Sequence, residues 1–301
     1  MILVLGPQDD PMVRAVYGRL EERGRPALFL PNHLLPGSVP FHFRLPGWQG
    51  AFELPEGPLP LGDISAVYHR LGFTDFQAGA DFTPEETRYV TGECLAALNG
   101  LLNTLPALVV NRPVASGSNA SKPYQVALVE RFGFRVPRTL VTNLPESARQ
   151  FYESLGGEVV YKSISYSRSI VQRMKPEDLE RLDTLRHCPV QLQERVEGTD
   201  VRVHVVGEAA VFASLIRTEA SDYRYDRSSE IEPWDLGPDL EERCRQATRA
   251  LGLTLSGIDL RLSPEGEAWC FEVNPSPAFT WYEERTGQPI TDALCDVLEA
   301  G

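Results

Sequence analysis

Short apolar segments and helical patterns alternate through the first part of the chain. The segments that predict strands are ILVL (residues 2–5), RPALFL (25–30), ISAVYHRLG (64–72) and ALVVN (107–111). Helices are predicted from Pro11 to Arg23 and from about Pro84 to Leu102, whereas the Pro- and Gly-rich residues 31–62 predict loops and short edge strands. The β-α-β opening predicts a parallel sheet, and we place the end of this unit at residue 113.

The rest of the chain has strands in runs beside helices, which favours mixed sheets over one doubly wound domain. In residues 114–188 we predict a helix from about Lys122 to Phe132, a capped helix in TNLPESARQFYESLGG, and a hairpin that pairs EVVYKSIS with IVQRM. Residues 189–301 contain the predicted strands VQLQERV, DVRVHVVG and AAVFASLI, a polar loop at 218–236, a helix at 239–251, a hairpin and a tail helix at 283–300. The chain is therefore predicted to form three units, 1–113, 114–188 and 189–301.

The last hairpin is predicted from its turn. Residues 263–266 (SPEG) have the Ser, Pro and Gly placement of a type I turn, between the strands SGIDLRL and EAWCFEVN. A two-residue turn predicts that Asp259 faces Cys270 and lies diagonal to Glu272. A register shift of one residue would turn Asp259 to the other face.

Oxygen-bearing side chains share one face of this hairpin. Because side chains alternate along a strand, Glu272 and Asn274 point to the side of Asp259, and Phe271 and Val273 to the other side. Carboxylate and amide oxygens without His or Cys suit a hard ion such as Mg²⁺, which takes phosphate oxygens for its remaining positions. The alternative is an exposed polar face of an edge hairpin.

Length and composition limit the class of protein. The 301 residues, 42% hydrophobic and 24% charged, have an ordinary globular composition and suffice for about two domain-sized units. No run approaches the about 18 apolar residues of a membrane span, and the N-terminus MILVLGPQDD lacks the basic region of a secretory signal, so we expect a cytoplasmic protein. The net charge of −13 argues against non-specific nucleic-acid binding, and five scattered cysteines predict neither disulfides nor a zinc site.

Lysine is rare in this chain. Of 29 basic residues only three are lysines, Lys122, Lys162 and Lys175. A lysine that is kept against such a bias can be one that requires a compact ammonium group instead of a planar guanidinium.

The segment GIDLRLSPEGEAWCFEVNPSPAF resembles the metal-binding hairpin of the ATP-grasp ligases, and its Asp followed by EVN and SP is similar to their RimK-like branch. The resemblance covers about residues 105–301. It implies an α/β (α+β) ATP-grasp fold, in which a β-α-β pre-ATP-grasp domain precedes a small central α/β domain and a C-terminal mixed-sheet domain, with ATP between the last two. Neither GxxxxGK[ST] nor GxGxxG occurs, so neither of those loops holds the nucleotide.

The resemblance implies nucleotide contacts for particular residues. The ammonium groups of Lys122 and Lys162 are expected on the phosphates, and Lys175 has no counterpart. The loop SISYSRS (163–169) takes the place of a glycine-rich flap, and its hydroxyls and Arg168 would replace backbone contacts; a surface turn is the alternative. QLQERVEGTDVRVHVVG is similar to the linker that holds the adenosine, and the residues implied are Glu194, Arg195 and Val196 for the adenine and Asp200 for the ribose.

The family chemistry has a carboxylate attack the γ-phosphate of ATP, which gives an acylphosphate and ADP, before an amine or hydroxyl forms an amide or ester. Arg202 and Arg217 are similar to positions that hold phosphates or the reacting carboxylate, although both could be plain surface arginines. Two Mg²⁺ ions, or Mn²⁺ in their place, are implied on Asp259, Glu272 and Asn274.

SKPYQVALVERFGFRVPRTLVTN and FEVNPSPAFTWYEERTG resemble the maturases that form ω-ester or ω-amide crosslinks in ribosomal peptides, the graspetide or microviridin-type macrocyclases. They resemble, a little less closely, the amino-acid or glutamate ligases of the same branch. We therefore predict a peptide ligase, with a small-molecule ligase and a non-catalytic nucleotide-binding protein as alternatives. Related ligases imply a homodimer, and Arg70 of the first domain is expected to help bind the peptide.

Overall fold

A computed structural model of the chain describes residues 1–71, 76, 81–120, 122–164, 171–217 and 230–301. Within these residues the strands are β1 (Ile2–Gly6), β2 (Ala27–Pro31), β3 (Phe41–Arg44), β4 (Gln49–Leu54), β5 (Gly57–Pro60), β6 (Ala66–His69), β7 (Leu108–Val110), β8 (Thr139–Thr142), β9 (Val159–Lys162), β10 (Val171–Arg173), β11 (Val190–Glu194), β12 (Thr199–Val206), β13 (Ala210–Arg217), β14 (Glu230–Trp234), β15 (Leu255–Leu262) and β16 (Ala268–Asn274). The helices of the same residues are α1 (Pro11–Glu22), α2 (Pro84–Thr104), α3 (Pro113–Ser116), α4 (Lys122–Val129), α5 (Pro145–Ser154), α6 (Pro238–Ala250), α7 (Thr280–Thr286) and α8 (Ile290–Glu299).

The N-terminal unit is built on a parallel sheet with the strand order β2-β1-β6-β7. Helix α1 begins where the Asp10 carboxylate accepts hydrogen bonds from the backbone N–H groups of Met12 and Val13, at 2.9 and 3.1 Å. The predicted β-α-β opening is therefore confirmed. The region predicted as loops and short edge strands contains a three-stranded antiparallel sheet, β3-β4-β5, in which the rings of Phe41 and Phe52 lie 6.0 Å apart.

The central unit is a four-stranded sheet with the order β10-β9-β11-β8. The predicted hairpin is present, because β9 and β10 are antiparallel and Lys162 pairs with Val171. Strand β11 lies between β9 and β8, although the predicted boundary at residue 188 assigns its residues to the C-terminal unit. The last residue that pairs in the central sheet is therefore Glu194, and the strands of the C-terminal sheet begin after it.

The C-terminal unit is a five-stranded antiparallel sheet with the order β14-β13-β12-β15-β16. One face carries an apolar layer, with Val203 of β12 and Ile258 of β15 fully buried against α4 and α6. Because side chains alternate across a strand, the opposite face carries Asp200, Arg202 and His204 of β12 and Asp259 and Arg261 of β15. Helices α7 and α8 cover one end of that opposite face, where they share a core with the N-terminal unit.

The chain ends in two helices instead of the single helix predicted for residues 283–300. Helix α7 stops at Gly287, which has a φ of 69°, and Pro289 follows immediately before α8. A glycine in the left-handed region ends a helix, and a proline after it cannot continue the helix. Among the helices of the described residues, none combines the length and apolar character required to cross a membrane.

Two polar side chains, the buried Asn111 and the partly buried Arg70, join the N-terminal unit to the C-terminal sheet. The amide of Asn111 donates to the carbonyl groups of Leu255 and Pro275, at 2.7 and 2.6 Å, and accepts from the Leu255 N–H at 3.0 Å. Arg70 pairs with Asp10 at 2.8 Å and donates to the Pro277 carbonyl at 3.1 Å. These contacts fix the loop that follows β16, which is a structural task different from the peptide binding predicted for Arg70.

We expect Asn111→Ala to lower the free energy of unfolding by about 3 kcal/mol or more, because several buried backbone groups lose their partner at once. Urea denaturation measures this difference. Asn103→Ala is the matched control, since Asn103 accepts one hydrogen bond, from the exposed Val114 N–H, and its loss should cost less than about 1 kcal/mol. Equal costs for the two substitutions would contradict the prediction.

Candidate active site

The predicted turn of the last hairpin is present, but its loop is one residue longer than predicted. Ser263 pairs with Glu267, whose carbonyl accepts from the Ser263 N–H at 3.0 Å, and Gly266 has a φ of 83°. A type I turn followed by a glycine in the left-handed region is a common three-residue hairpin loop. The two-residue turn was therefore wrong, and the longer loop alone would place Asp259 and Glu272 on opposite faces.

A β-bulge in the same hairpin shifts the pairing by one further residue and so returns Asp259 and Glu272 to one face. Leu260 pairs with Cys270 near the turn, whereas Asp259 pairs with Glu272 beyond the bulge, so Phe271 is the extra residue. Cys270 consequently lies in the buried core, and Phe271 lies on the face of Glu272. The predicted pairing of Asp259 with Cys270 was wrong, as was the predicted opposite placement of Phe271, but Asp259 and Glu272 do share one face.

Three oxygen-bearing side chains meet at the end of this hairpin. Asp259 is directly opposite Glu272, and Asn274 is the next residue of β16 on the same face; its Oδ1 accepts from the Ser276 N–H at 2.9 Å. The described residues contain no group of three His, Cys, Asp or Glu side chains able to hold a metal. Two carboxylates and an amide nevertheless fit Mg²⁺, which completes its shell with water and phosphate oxygens. The metal role stays a prediction.

Arg202 reaches this group from the neighbouring strand β12. Its side chain is only 7% exposed, and its Nη1 donates to Asp259 Oδ1 at 2.6 Å. The guanidinium lies against Gly257, where an added Cβ would overlap the guanidinium and come within 2.7 Å of the Cβ of Pro277. Gly257 therefore leaves the space through which Arg202 contacts the carboxylate.

The two lysines predicted at the phosphates lie near each other, Lys122 buried and Lys162 partly buried close to the carboxylates of Glu272 and Asp259. Burial lowers the pKa of the Lys162 amine to about 8, although the nearby charge of Glu272 opposes this shift. Lys122 is 8% exposed, and its Nζ donates to the Ser163 carbonyl at 3.4 Å, next to Lys162. Lys175, which has no counterpart in the resemblance, is exposed.

The residues predicted at the adenine lie where the chain leaves the central sheet. The Glu194 carboxylate accepts from Arg138 Nε at 3.1 Å, and this hydrogen bond lowers the pKa of the Glu194 carboxyl group. The backbone N–H of Arg195 donates to the Glu158 carbonyl at 2.9 Å, so that group is used within the fold. The adenine roles of Glu194, Arg195 and Val196 stay predictions.

Arg261, which the sequence pattern did not single out, organises the next part of the site. Its Nε and Nη2 donate to the two carboxylate oxygens of Asp200 at 2.8 and 2.9 Å, and its Nη1 donates to the Val196 carbonyl at 2.9 Å. Its guanidinium lies 5.4 Å from the ring centre of Phe271, and Lys162 Nζ lies 5.1 Å from the same ring. The carboxylate predicted at the ribose, Asp200, is thus held by Arg261.

Arg217 is not brought to this group. It follows Leu215 on β13 with a spacing of two, and Leu215 belongs to the core on the opposite face of the sheet from Arg202. The Arg217 guanidinium pairs with Glu232 at 2.7 Å and its side chain is 58% exposed. Its predicted catalytic role is therefore not supported by its position. Arg168 and the central residues of the predicted flap lie outside the described residues.

Two buried glutamines on β11 were also missed by the sequence pattern. Gln191 pairs with Lys162 and Gln193 with Val160, which places both on the face of Lys162. Within the described part of the chain, the Oε1 atoms of Gln191 and Gln193 are buried without a hydrogen-bond partner. Buried acceptors of this kind require a donor, so this face suits a ligand that carries N–H groups. The sequence signal that could have identified them is the alternation of these two glutamines with the apolar Leu192 along β11.

We expect Gly257→Ala to displace the Arg202 guanidinium from Asp259 and to lower kcat/KM for ATP turnover by about 10- to 100-fold, because misplacement by about 1 Å at a reaction centre has effects of that size. Steady-state kinetics measure this loss. Gly62→Ala is the control, since an added Cβ at Gly62 meets nothing within 4 Å. Unchanged kinetics in Gly257→Ala would contradict the prediction.

The pKa of Lys162 predicts a pH dependence of nucleotide affinity. Phosphates favour the ammonium form, so binding above about pH 8 must take up a proton, and the affinity should fall by up to about tenfold over the next pH unit. Calorimetric titration with ADP without metal measures this change. Lys162→Arg should flatten the profile because a guanidinium stays charged, whereas Lys175→Arg should leave it unchanged. A persistent slope in Lys162→Arg would assign the titration to another group.

Known proteins share both the fold and part of the sequence. A probable alpha-L-glutamate ligase of Pseudoalteromonas translucida is 25% identical over 202 residues, which are 63% of this chain and 66% of that ligase. The match thus spans just under two thirds of that relative's length.

Two solved structures superimpose over nearly the whole chain. The first is a ribosomal-peptide-associated ATP-grasp ligase of Chryseobacterium gregarium in complex with ADP and a leader and core peptide; it has a TM-score of 0.86 and 26% identity, covering 99% of this chain and 96% of that one. The second is the ATP-grasp ligase PsnB with a phosphomimetic variant of its minimal precursor, Mg and ADP; it has a TM-score of 0.82 and 28% identity, with coverages of 99% and 97%. The predicted ATP-grasp fold is confirmed.

A family model identifies the part of the chain that carries this fold. Residues 119–298, which are more than half of the chain, match the RimK-like ATP-grasp domain. This range includes the paired carboxylates, both buried lysines and Arg202. The chain therefore belongs to the RimK-like ATP-grasp family.

Proposed function

We propose that this protein is an ATP-dependent ligase that joins a carboxylate of a peptide to an amine or hydroxyl group through an acylphosphate, releasing ADP and phosphate. The observation that carries the proposal is the pairing of Asp259 with Glu272 beside Lys162 and Arg202. Hard oxygen donors next to buried cations suit a metal-bound polyphosphate. The similarity to ligases with bound precursor peptides over 99% of the chain supports a peptide substrate.

The nucleotide would lie between the central and C-terminal sheets. Its phosphates would contact the ammonium groups of Lys122 and Lys162, of which Lys162 is already near the carboxylates of Glu272 and Asp259. The unpartnered acceptors of Gln191 and Gln193 suit the N–H groups of an adenine, and the ring of Phe271 offers an apolar surface to the base. The complexes of related ligases with ADP support an adenine nucleotide as the ligand.

Asp259, Glu272 and Asn274 would hold the metal, as one Mg²⁺ ion or as two. Bound Mg²⁺ neutralises charge on the β- and γ-phosphates. PsnB with Mg and ADP supports Mg²⁺ as the ion; the number of ions and the use of Mn²⁺ belong to the proposal.

The protein's own residues would position the reactants and neutralise charge. A substrate carboxylate oxygen attacks the γ-phosphorus as the bond to the ADP oxygen breaks, and Arg202 with the two lysines stabilises the charge that spreads over the phosphoryl oxygens. An amine or hydroxyl then attacks the acyl carbon, and phosphate leaves. Neither His69 nor His204 fits a general base: both are buried in the fold, and burial lowers the pKa of His69 to about 4 and that of His204 well below its usual value.

A RimK-like amino-acid or glutamate ligase on a small molecule is the second candidate, favoured by the named alpha-L-glutamate ligase relative. This relative is 25% identical over 63% of the chain. The two peptide ligases have similar identities, 26% and 28%, over 99% of the chain. The peptide substrate is therefore preferred. We also propose a cytoplasmic homodimer, as the resemblance to the RimK-like ligases implies.

Mg²⁺-dependent release of ADP tests the proposal, with acidic peptides and with free amino acids as substrates and hydroxylamine as a trap for the acylphosphate. Peptide-stimulated ADP and hydroxamate are expected. Glu272→Gln should lower both by about 100-fold or more because a metal ligand loses its charge, and chelation of Mg²⁺ should abolish them.

Glu265→Gln is the matched control, because Glu265 is exposed at the turn of the same hairpin and its loss should leave turnover unchanged. Stimulation by amino acids but not by peptides would favour the small-molecule ligase. Tight ATP binding without ADP release under any condition would reject the enzyme and favour a non-catalytic nucleotide-binding protein.

A further inference from the structure

Strand β16, which carries Glu272 and Asn274, lies at an edge of its sheet. The outer N–H and C=O groups of an edge strand need partners wherever they are buried. Near the turn these come from Arg135, whose N–H donates to the Ala268 carbonyl at 3.1 Å and whose carbonyl accepts from the Cys270 N–H at 2.8 Å. Beyond the bulge, a side chain takes over this task.

That side chain is Gln125 of α4. Its Nε2 donates to the Val273 carbonyl at 2.6 Å, and its Oε1 accepts from the Val273 N–H at 3.2 Å. Gln125 is 3% exposed and Val273 is fully buried. The glutamine amide thus replaces a neighbouring strand at the one residue that lies between Glu272 and Asn274.

The same helix face also carries Lys122. Residues three and four apart lie on one side of a helix, so Lys122, Gln125 and Val129 form one stripe, and all three are buried. Val129 packs in the core with Val273, whereas Lys122 contacts Ser163 of the central unit. Gln125 therefore connects β16, which carries Glu272, to α4, which carries Lys122, the lysine proposed at the phosphates.

We propose that Gln125 is a positioning residue that holds the backbone of β16 so that Glu272 and Asn274 can bind the metal together. This inference rests on the proposed function, because it assigns Gln125 a task only if those two side chains are metal ligands. Residues that orient metal ligands from behind contribute about 10- to 100-fold to metal affinity or activity.

The chemistry of the contact requires an amide. Val273 presents a donor and an acceptor, and glutamine can satisfy both, whereas glutamate accepts from the N–H but cannot donate to the carbonyl. Other helical glutamines differ: the amides of Gln150 and Gln246 contact only glutamates four residues earlier in their own helices, and these contacts are exposed.

The test compares Gln125→Met, Gln125→Glu and the control Gln246→Met. The Mg²⁺ concentration for half-maximal ADP release should rise by about tenfold or more in both Gln125 variants, and kcat at saturating Mg²⁺ should change much less. Hydrogen exchange of the Val273 amide, followed by mass spectrometry on a peptide that spans it, should accelerate in Gln125→Met and less in Gln125→Glu, which keeps that acceptor. Gln246→Met should match the unmodified protein in both measurements.

A lower unfolding midpoint with an unchanged Mg²⁺ requirement would show that Gln125 only stabilises the fold, and would overturn the inference. If Gln125→Met does not fold, the Mg²⁺ requirement of Gln125→Glu decides the question in the same way. Failure of the proposed function would be distinct, because the unmodified protein would then release no ADP with Mg²⁺, whereas hydrogen exchange at Val273 would still report the contact.

Discussion

The direct pairing of Asp259 with Glu272 is the constraint on which the site depends, and two irregularities of one residue each produce it. The three-residue loop at Gly266 shifts the register by one residue, and the bulge at Phe271 adds a second shift that returns the two carboxylates to one face. The reason for the bulge is visible in the core, where Cys270 and Val273 are both buried although they are three positions apart. A regular strand cannot bury both, so core packing and carboxylate placement are satisfied by the same extra residue.

Around this pair the site is a set of matched charges. Arg202 pairs with Asp259, Arg261 with Asp200, and Lys162 lies near Glu272. Charges that are partly withdrawn from water need partners, and each of these three carboxylates has a cation beside it. In such a site the carboxylates can pass from their arginine and lysine partners to a metal ion, and the arginine and lysine side chains can pass to phosphate oxygens.

The strand that carries the ligands is fixed from outside its own sheet. Amide side chains act at the open end of the hairpin, away from its turn: Asn111 holds Leu255 and Pro275, and Gln125 holds Val273. Arg70 adds a contact to the loop after β16. All three lie outside the C-terminal sheet, so its geometry depends on packing with the N-terminal unit and with α4. This dependence explains why the ATP-grasp fold positions its chemistry between units instead of within one.

The sequence by itself determined the β-α-β opening, the hairpins and the identity of the acidic face, because apolar periodicity and turn residues act over a few neighbouring positions. The two rare lysines and the EVN segment also marked the site, and the structure brings Lys122, Lys162, Asp259 and Glu272 together. Only the tertiary structure decided the bulge, the placement of Arg217 on the wrong face and the contacts of Arg261 and Gln125. Those features depend on which distant segments pack against a strand, and local patterns carry no information about such partners.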